Sequence, residues 1–314
     1  MRHFLAPNDF SPAEQARAID LAAELTRDRW SHRPFNGPRS VAIISDKPTL
    51  RTQLSFQVGI ADLGGNALMV DGNLAGVGTR ESIPDSARVL GRQVAQIVWR
   101  TGAHERIEEM ARHAGVPVIN ALTDDHHPCQ VLADLLTIAQ HQGDGTAGSL
   151  RGLSMTYLGD GANNMSHSYL LGAALAGMHI TIASPAGYQP DPAVVESANL
   201  IAADTGATIR ITDEPGAFGA DAVITDTWVS MGQDGAEERA RVFAPYRVTT
   251  ELMETVPQAI AMHCLPAYRG KEIDAEVIDG PRSVVWDEAA NRLPVQKAVM
   301  IMLDEWAGQD GEAR

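Results

Sequence analysis

A short run of β-branched and apolar residues, then a polar loop, then a helical stretch: this unit recurs along the chain and constrains the fold more than any other feature. It appears first in SVAIIS (residues 40–45), AQIVWR (95–100) and VPVIN (116–120), the last two leading into HERIEEMARHAG and VLADLLTIAQHQ. It restarts in LSMTYLGD, HITIAS, TIRITD, DAVITD, AIAMHC and SVVWD, six further strand-like runs. Strands without polar alternation are those covered on both faces, and strands alternating with helices make parallel sheets. In SPAEQARAIDLAAELTRDRW, Ser11 is placed to cap a helix that starts at Pro12, with Glu14 closing a capping box. The Gly-rich stretch from Gly143 to Gly152 is the expected linker. The pattern predicts an α/β protein of two doubly wound parallel-sheet domains joined by helices. The expected domains are residues 1–142 and 150–292, with a C-terminal amphipathic helix, 293–314, packing back on the first.

Length agrees, since 314 residues supply two domains at roughly 100–200 residues each. Forty acidic side chains against 25 Lys and Arg give a formal charge of −15, which argues against a broad nucleic-acid footprint. Any anionic ligand must therefore find local positive charge. Mean hydropathy is −0.13, and no stretch approaches the ~18 apolar residues of a membrane span, so no membrane partner is expected. The N-terminus MRHFLAPNDFSPAEQ lacks the apolar core of a secretory signal. Cys129 and Cys264 lie far apart without a CxxC spacing, as befits a reducing, cytoplasmic setting.

The chemistry is sought at strand ends. After SVAIIS comes Asp46-Lys47-Pro48-Thr49-Leu50-Arg51-Thr52-Gln53, a loop opening a helix, where backbone amides, hydroxyls and a guanidinium form a candidate phosphate site. The bland alternative is an ordinary N-terminus with a solvated arginine. Arg100 and Thr101 end the next strand; a surface arginine is the competing reading. His126, His127, Cys129 and Gln130 open a helix, and a metal site there is disfavoured because adjacent His side chains diverge. Gly159-Asp160-Gly161-Ala162-Asn163-Asn164 lacks the third glycine of a dinucleotide fingerprint and offers two amides to a polar ligand instead. Asp226 and Cys264 end two strands and can face one cleft. His263 next to Cys264 raises a nucleophilic pair, but neighbours along a strand face opposite sides.

In order and spacing, the RT loop, WRT, HPCQ, GDGANNMSHS, DTWVSMGQ, HCLPA and DEAANR resemble the ornithine carbamoyltransferase family over nearly the whole chain. The resemblance implies a carbamoyl-phosphate-binding first domain, an ornithine-binding second domain, and assembly as homotrimers or multiples of them. It implies that Thr49, Leu50, Arg51, Thr52 and Arg100 hold carbamoyl phosphate through side chains and backbone amides. His127 would polarise the carbamoyl oxygen, with Gln130, Arg292, Cys264 and Leu265 orienting the group. Asn164, Asp226, Ser230 and Met231 would take the backbone groups of L-ornithine, with Cys264 near the side-chain amine. Arg51, Arg100, His127, Asp226 and Cys264 form the expected catalytic set, and no metal or organic cofactor is implied.

The donor loop departs from the family pattern. Leu50 and Gln53 stand where a hydroxyl residue and a cation are usual, Gly76 where a Gln is usual, and Pro294 where a His is common. Leu50 is similar to loops of relatives acting on acylated ornithines. The leading expectation is carbamoyl transfer to L-ornithine, giving citrulline and phosphate. Transfer to a related diamino acid such as 2,3-diaminopropionate or lysine, a toxin-resistant duplicate, and a non-catalytic ligand-binding paralogue are the alternatives.

Overall fold

The computed structural model describes residues 1–229 and 235–312, and its chain divides into two compact units. Unit 1 comprises Met1–Leu132 and Asn291–Arg314, and unit 2 comprises Ala133–Ala290. Each is an α/β layer structure on its own parallel sheet.

Unit 1 contains α1 (Pro12–Arg27), β1 (Ser40–Ser45), α2 (Arg51–Asp62), β2 (Asn66–Asp71), α3 (Gly72–Ala75), α4 (Ile83–Leu90), β3 (Gln96–Arg100), α5 (His104–Ala114) and β4 (Val118–Leu122). Its strands lie in the order β2-β1-β3-β4, all parallel. Ser11 caps α1 with Glu14 reciprocating, and Gly115 ends α5 in the left-handed conformation at φ 69°. One sheet face is sealed by Ala42, Ile44, Ile97 and Trp99 against Ile83, Ala87, Ile107 and Met110 of α4 and α5, all buried. Truncating one of the larger of these to Ala costs about 2–5 kcal/mol. β2 forms the sheet edge and leaves Leu68 42% and Met69 39% exposed.

The chain enters unit 2 within α6 (Pro128–Gln142) and leaves it within α12 (Val285–Glu312). Between them run β5 (Ser154–Leu158), α7 (Asn164–Ala176), β6 (His179–Ala183), α8 (Pro192–Thr205), β7 (Ile209–Thr212), β8 (Ala222–Thr225), α9 (Ala236–Phe243), α10 (Thr250–Glu254), β9 (Ile260–His263) and α11 (Ala275–Ile278). The order is β7-β6-β5-β8-β9, again all parallel. The sixth strand expected at SVVWD does not form: Ser283 makes an isolated bridge to Ala261, and the helix begins at Val285. Asp287 and Glu288 in the first turn favour a helix start, and the 59% exposure of Trp286 breaks the apolar run. The Gly-rich stretch 143–152 lies inside unit 2.

α12 continues through Pro294, before which the sequence reading starts its helix. Within unit 1 its later turns pack on the sheet and on α2. Gln96 Nε2 donates to the Met300 carbonyl at 2.8 Å, and the buried Lys297 ammonium bonds the Arg29 carbonyl and Asp62. Gly59 lets the helices close up, since a Cβ there would lie 3.2 Å from Lys297 Cγ. Among the described residues, no helix is long and apolar enough to cross a membrane.

Candidate active site

In each sheet the strand order reverses beside the first strand, leaving a crevice at the carboxyl ends where open α/β sheets bind ligands. In unit 1 this point lies between β1 and β3. Ser45 and Arg100 are register partners, so the loop after β1 emerges beside Arg100. Asp46 locks that juxtaposition. Its N–H donates to the Arg100 carbonyl at 2.9 Å, and its carboxylate accepts from Thr101 Oγ1 at 2.6 Å, Trp99 Nε1 at 3.2 Å and Arg106 Nη2 at 3.4 Å. The loop ends in Thr49 and the 76%-exposed Leu50, which makes no side-chain cap to α2. The first amides of α2, with Arg51 and the buried Thr52 beside them, thus belong to the kind of helix start that receives anions.

His127 precedes α6 by one residue. Asn120 in the middle of β4 holds the turn that presents it, its Nδ2 donating to Leu5 O at 2.8 Å, Thr123 Oγ1 at 3.2 Å and His126 O at 3.3 Å. His127 is buried, and burial first, then the guanidinium groups of Arg292, Arg100 and Arg51, hold its pKa well below the ordinary imidazole value. The ring is therefore neutral at physiological pH. Arg292 is itself 3% exposed and donates from Nη2 to Thr52 Oγ1 at 2.8 Å; Gln130, also buried, follows His127 on α6. Unit 1 thus gathers Arg51, Thr52, Arg100, His127, Gln130 and Arg292. Cys129 turns away, donating to Asn120 O at 3.7 Å, with burial pushing its thiol up to about 12. His126 faces His104 at 5.2 Å between ring centroids, so the HHPC stretch does not converge on a metal.

In unit 2 the reversal lies between β5 and β8. Register pairs Leu158 with Thr225 and Thr225 with His263, so the Gly159–Asn164 turn, Asp226 and Cys264 emerge side by side. Asp226 is 8% exposed. Its Oδ1 accepts from Thr227 N–H at 2.7 Å and from the Cys264 thiol at 3.2 Å, while Asn163 Nδ2 lies 3.5 Å from Oδ2. Burial raises the Asp226 pKa, against the opposing pull of His263 and the bond from Cys264. Burial, then the carboxylates of Asp226, Glu288 and Asp134, push the Cys264 thiol well above its ordinary value. Cys264 is a hydrogen-bond donor here and not a thiolate nucleophile.

The expectation that His263 and Cys264 face opposite sides is corrected. Asp226, His263 and Cys264 bring ligand-type atoms within 4.8 Å of one another, because β9 ends at His263 and strand alternation stops there. His263 is nonetheless fully engaged elsewhere. Its Nδ1 accepts from Leu265 N–H at 2.9 Å, so Nε2 carries the proton, which it shares with Glu272 Oε1 at 3.2 Å. Its own N–H donates to Glu288 Oε2 at 2.8 Å. These bonds hold Leu265 at φ 60°, a left-handed conformation that costs a branched residue roughly 1–2 kcal/mol. With both imidazole nitrogens and the thiol proton committed, this trio suits internal hydrogen bonding better than metal ligation.

Asn164 is the first residue of α7, whereas Asn163 caps the helix through Ser166 N–H and is the amide that reaches Asp226. Asn163, one of the two amides expected to meet a polar ligand, stands at an Asn-x-x-Ser capping spacing that fixes its side chain. Tyr157, Asp134, Tyr169 and Glu288 were missed from sequence. Tyr157 OH accepts from Asn163 Nδ2 at 2.8 Å, and Tyr169 OH donates to Asp134 Oδ2 at 2.6 Å. Glu288 is pushed well above the carboxylate range by burial and by Asp134, to which it hydrogen-bonds. Ser230 and Met231 lie outside the described residues.

Two doubly wound units, one gathering arginines at its strand ends and the other a buried carboxylate, thiol and amides at its own, define a two-domain α/β enzyme of small polar metabolites. The family models for the aspartate/ornithine carbamoyltransferase carbamoyl-P binding domain and Asp/Orn binding domain match residues 2–140 and 151–303. An ornithine carbamoyltransferase of Clavibacter sepedonicus is 57% identical, covering 96% of this chain and 98% of its own. Among solved structures, ornithine carbamoyltransferase from Pyrococcus furiosus is 39% identical with a TM-score of 0.88, covering 95% of each chain. That from Gloeobacter violaceus is 41% identical with a TM-score of 0.85, covering 96% of this chain and 98% of its own. The chain belongs to the aspartate/ornithine carbamoyltransferase family.

Proposed function

We infer that this protein transfers the carbamoyl group of carbamoyl phosphate to the side-chain amine of L-ornithine, giving L-citrulline and phosphate. The observation that carries the reading is the neutral, buried His127 among the guanidinium groups of Arg51, Arg100 and Arg292. Such a concentration of positive charge suits an anionic ligand, and a neutral imidazole beside it can donate to a developing oxyanion.

In this reading Arg51, Thr52, Arg100, Thr49 and the amides from Leu50 onward hold the phosphate. His127, with Arg51 and Thr52, donates to the carbamoyl oxygen; Gln130 and Arg292 orient the group. Asp226 takes the α-ammonium of ornithine with Ser230, while Asn164 and the Met231 amide take its carboxylate. The amine attacks as its neutral form, a tetrahedral centre develops negative charge on oxygen, and the C–O bond to phosphate breaks as the carbonyl re-forms, the departing phosphate taking the proton that the attacking nitrogen loses. Most of the acceleration comes from positioning and from donors set in advance, with no cofactor required.

The similar proteins are ornithine carbamoyltransferases, which favours ornithine over 2,3-diaminopropionate or lysine as acceptor. They equally favour an enzyme over a ligand-binding paralogue. We further propose a homotrimer working in the cytoplasm. Leu68, Met69 and the 86%-exposed Leu74 are large apolar side chains left exposed on and just after the edge strand β2, and a neighbouring copy would cover them. Citrulline formation between pH 7 and 9 tests the reaction, and its absence with both substrates supplied would overturn it. Sedimentation at three times the 33.6 kDa chain mass tests the assembly.

A further inference from the structure

We propose that Arg239 is a positioning residue for the acceptor amino acid, clamping the turn after β5 to the segment after β8. Arg239 lies on α9 and touches both arms at once. Its Nη2 pairs with Asp160 Oδ2, the two side chains being 13% and 6% exposed. Its Nε donates to the Trp228 carbonyl at 2.5 Å. Its guanidinium carbon stands 5.1 Å from the ring centroids of both Tyr188 and Phe243, which are 4.8 Å apart. Trp228 stacks on the same Phe243 at 6.1 Å.

The geometry calls for arginine in particular. One planar fork serves a carboxylate and a carbonyl while its faces rest on aromatic rings, which a lysine ammonium cannot reproduce. A pair this shielded from water contributes conformational specificity more than net stability, so its value lies in what it fixes. On one side it fixes Asp160, whose other oxygen accepts from Ala162 N–H at 3.0 Å and so sets the turn leading to Asn163 and Asn164. On the other it fixes Trp228, two residues beyond Asp226. Ser230 and Met231, assigned to the acceptor, fall in sequence between Trp228 and Arg239. Arg239 thus braces the turn before Asn164 and the segment after Asp226 while bonding to neither of those two residues in the described structure.

The inference rests on reading Asp226 and Asn164 as acceptor-binding, so Asp226→Asn is the control. Steady-state kinetics on Arg239→Lys and Asp160→Asn, varying each substrate at saturating levels of the other, provide the test. The expected result is an ornithine KM raised at least fivefold in both, with the carbamoyl phosphate KM within twofold of wild type. An ornithine KM raised less than fivefold in either soluble variant, or a parallel rise for both substrates, overturns the proposal. Carbamoyl phosphate binding by calorimetry establishes that a variant is folded; failure of both to fold would mark the clamp as merely structural and also overturn it. If Asp226→Asn leaves the ornithine KM unchanged, it is the acceptor-site reading that fails.

Discussion

The Arg292 guanidinium donates to the Thr52 hydroxyl across 2.8 Å, joining α12 to the first turn of α2 between positions 240 apart in sequence. Both residues are buried, so the bond fixes the rotamers of two groups that face the proposed donor. Thr52→Val keeps the shape and removes the acceptor. Its expected effect is a rise of about tenfold or more in the carbamoyl phosphate KM, the equivalent of about 1.5–3 kcal/mol for one hydrogen bond to a charged group, with the ornithine KM unchanged. Substrate-saturation curves for both substrates check it.

Arg51→Ala removes positive charge from both the phosphate and the oxyanion, and it also relieves part of the field that keeps His127 neutral. A drop of about 10²–10³ in kcat is expected, the scale of losing one preorganised donor. Near-normal turnover in that variant would refute the assigned donor half-site.

Cys264 is held as a thiol by burial and by three neighbouring carboxylates, and Cys129 is fully buried. Iodoacetamide at pH 8 should therefore label the native protein far more slowly than the same chain in denaturant, as peptide mass spectrometry can read. Cys264→Ser keeps a donor for Asp226 and should retain more activity than Cys264→Ala, which leaves that buried carboxylate one bond short.

Because the attacking amine is almost wholly protonated at neutral pH, kcat/KM for ornithine should climb with pH from about 7 towards 9. His127, already neutral, should add no inflection near the ordinary imidazole value. A clear break in the profile around pH 6.5 would mean that His127 titrates in the working range.

Acid should loosen unit 1. Burial, helped by the N-terminal charge, lowers His3 to about 4, and His127 is lowered further than an ordinary imidazole by burial and its arginines. Between pH 6.5 and those folded values the unfolded chain binds protons the folded chain refuses, so stability present at pH 7 is lost as pH falls. Thermal melts should show Tm falling from pH 7 to 5, by about 2–4 °C for each kcal/mol lost. His3→Gln, which keeps an acceptor for the Val118 N–H, should flatten the slope.

The sheets were legible because their central strands are apolar on both faces: β1 and β8 coincide with SVAIIS and the core of DAVITD. β2 was not: its apolar run, Ala67 to Val70, follows the apolar helical stretch of α2 after only Leu63-Gly64-Gly65-Asn66, so the two merge in the sequence. Motif order led to Arg51, Arg100, His127, Asp226 and Cys264. It gave no access to the roles of Asp46, Glu288 or Arg239, each of which acts through partners distant in sequence that only the folded register assembles. Gly76 illustrates the same limit. Noted as a lost glutamine, it is also the left-handed cap of α3 at φ 69°, and a Cβ there would meet Arg80 Cβ at 2.7 Å, so restoring a side chain would strain the turn.

The boundary between the units falls inside α6 and again inside α12, and this bears on how such a chain can be recombined. A crossover at the glycine-rich 143–152 stretch, the obvious seam to a breeder of chimaeras, would leave Asp134 with the wrong parent. Tyr169 and Glu288 would then meet a foreign side chain where they now share a buried proton network. Heritable exchange between relatives should therefore tolerate joints in surface loops only when both ends of that network come from one ancestor. The halves of this protein are compact in space but are not interchangeable parts along the gene.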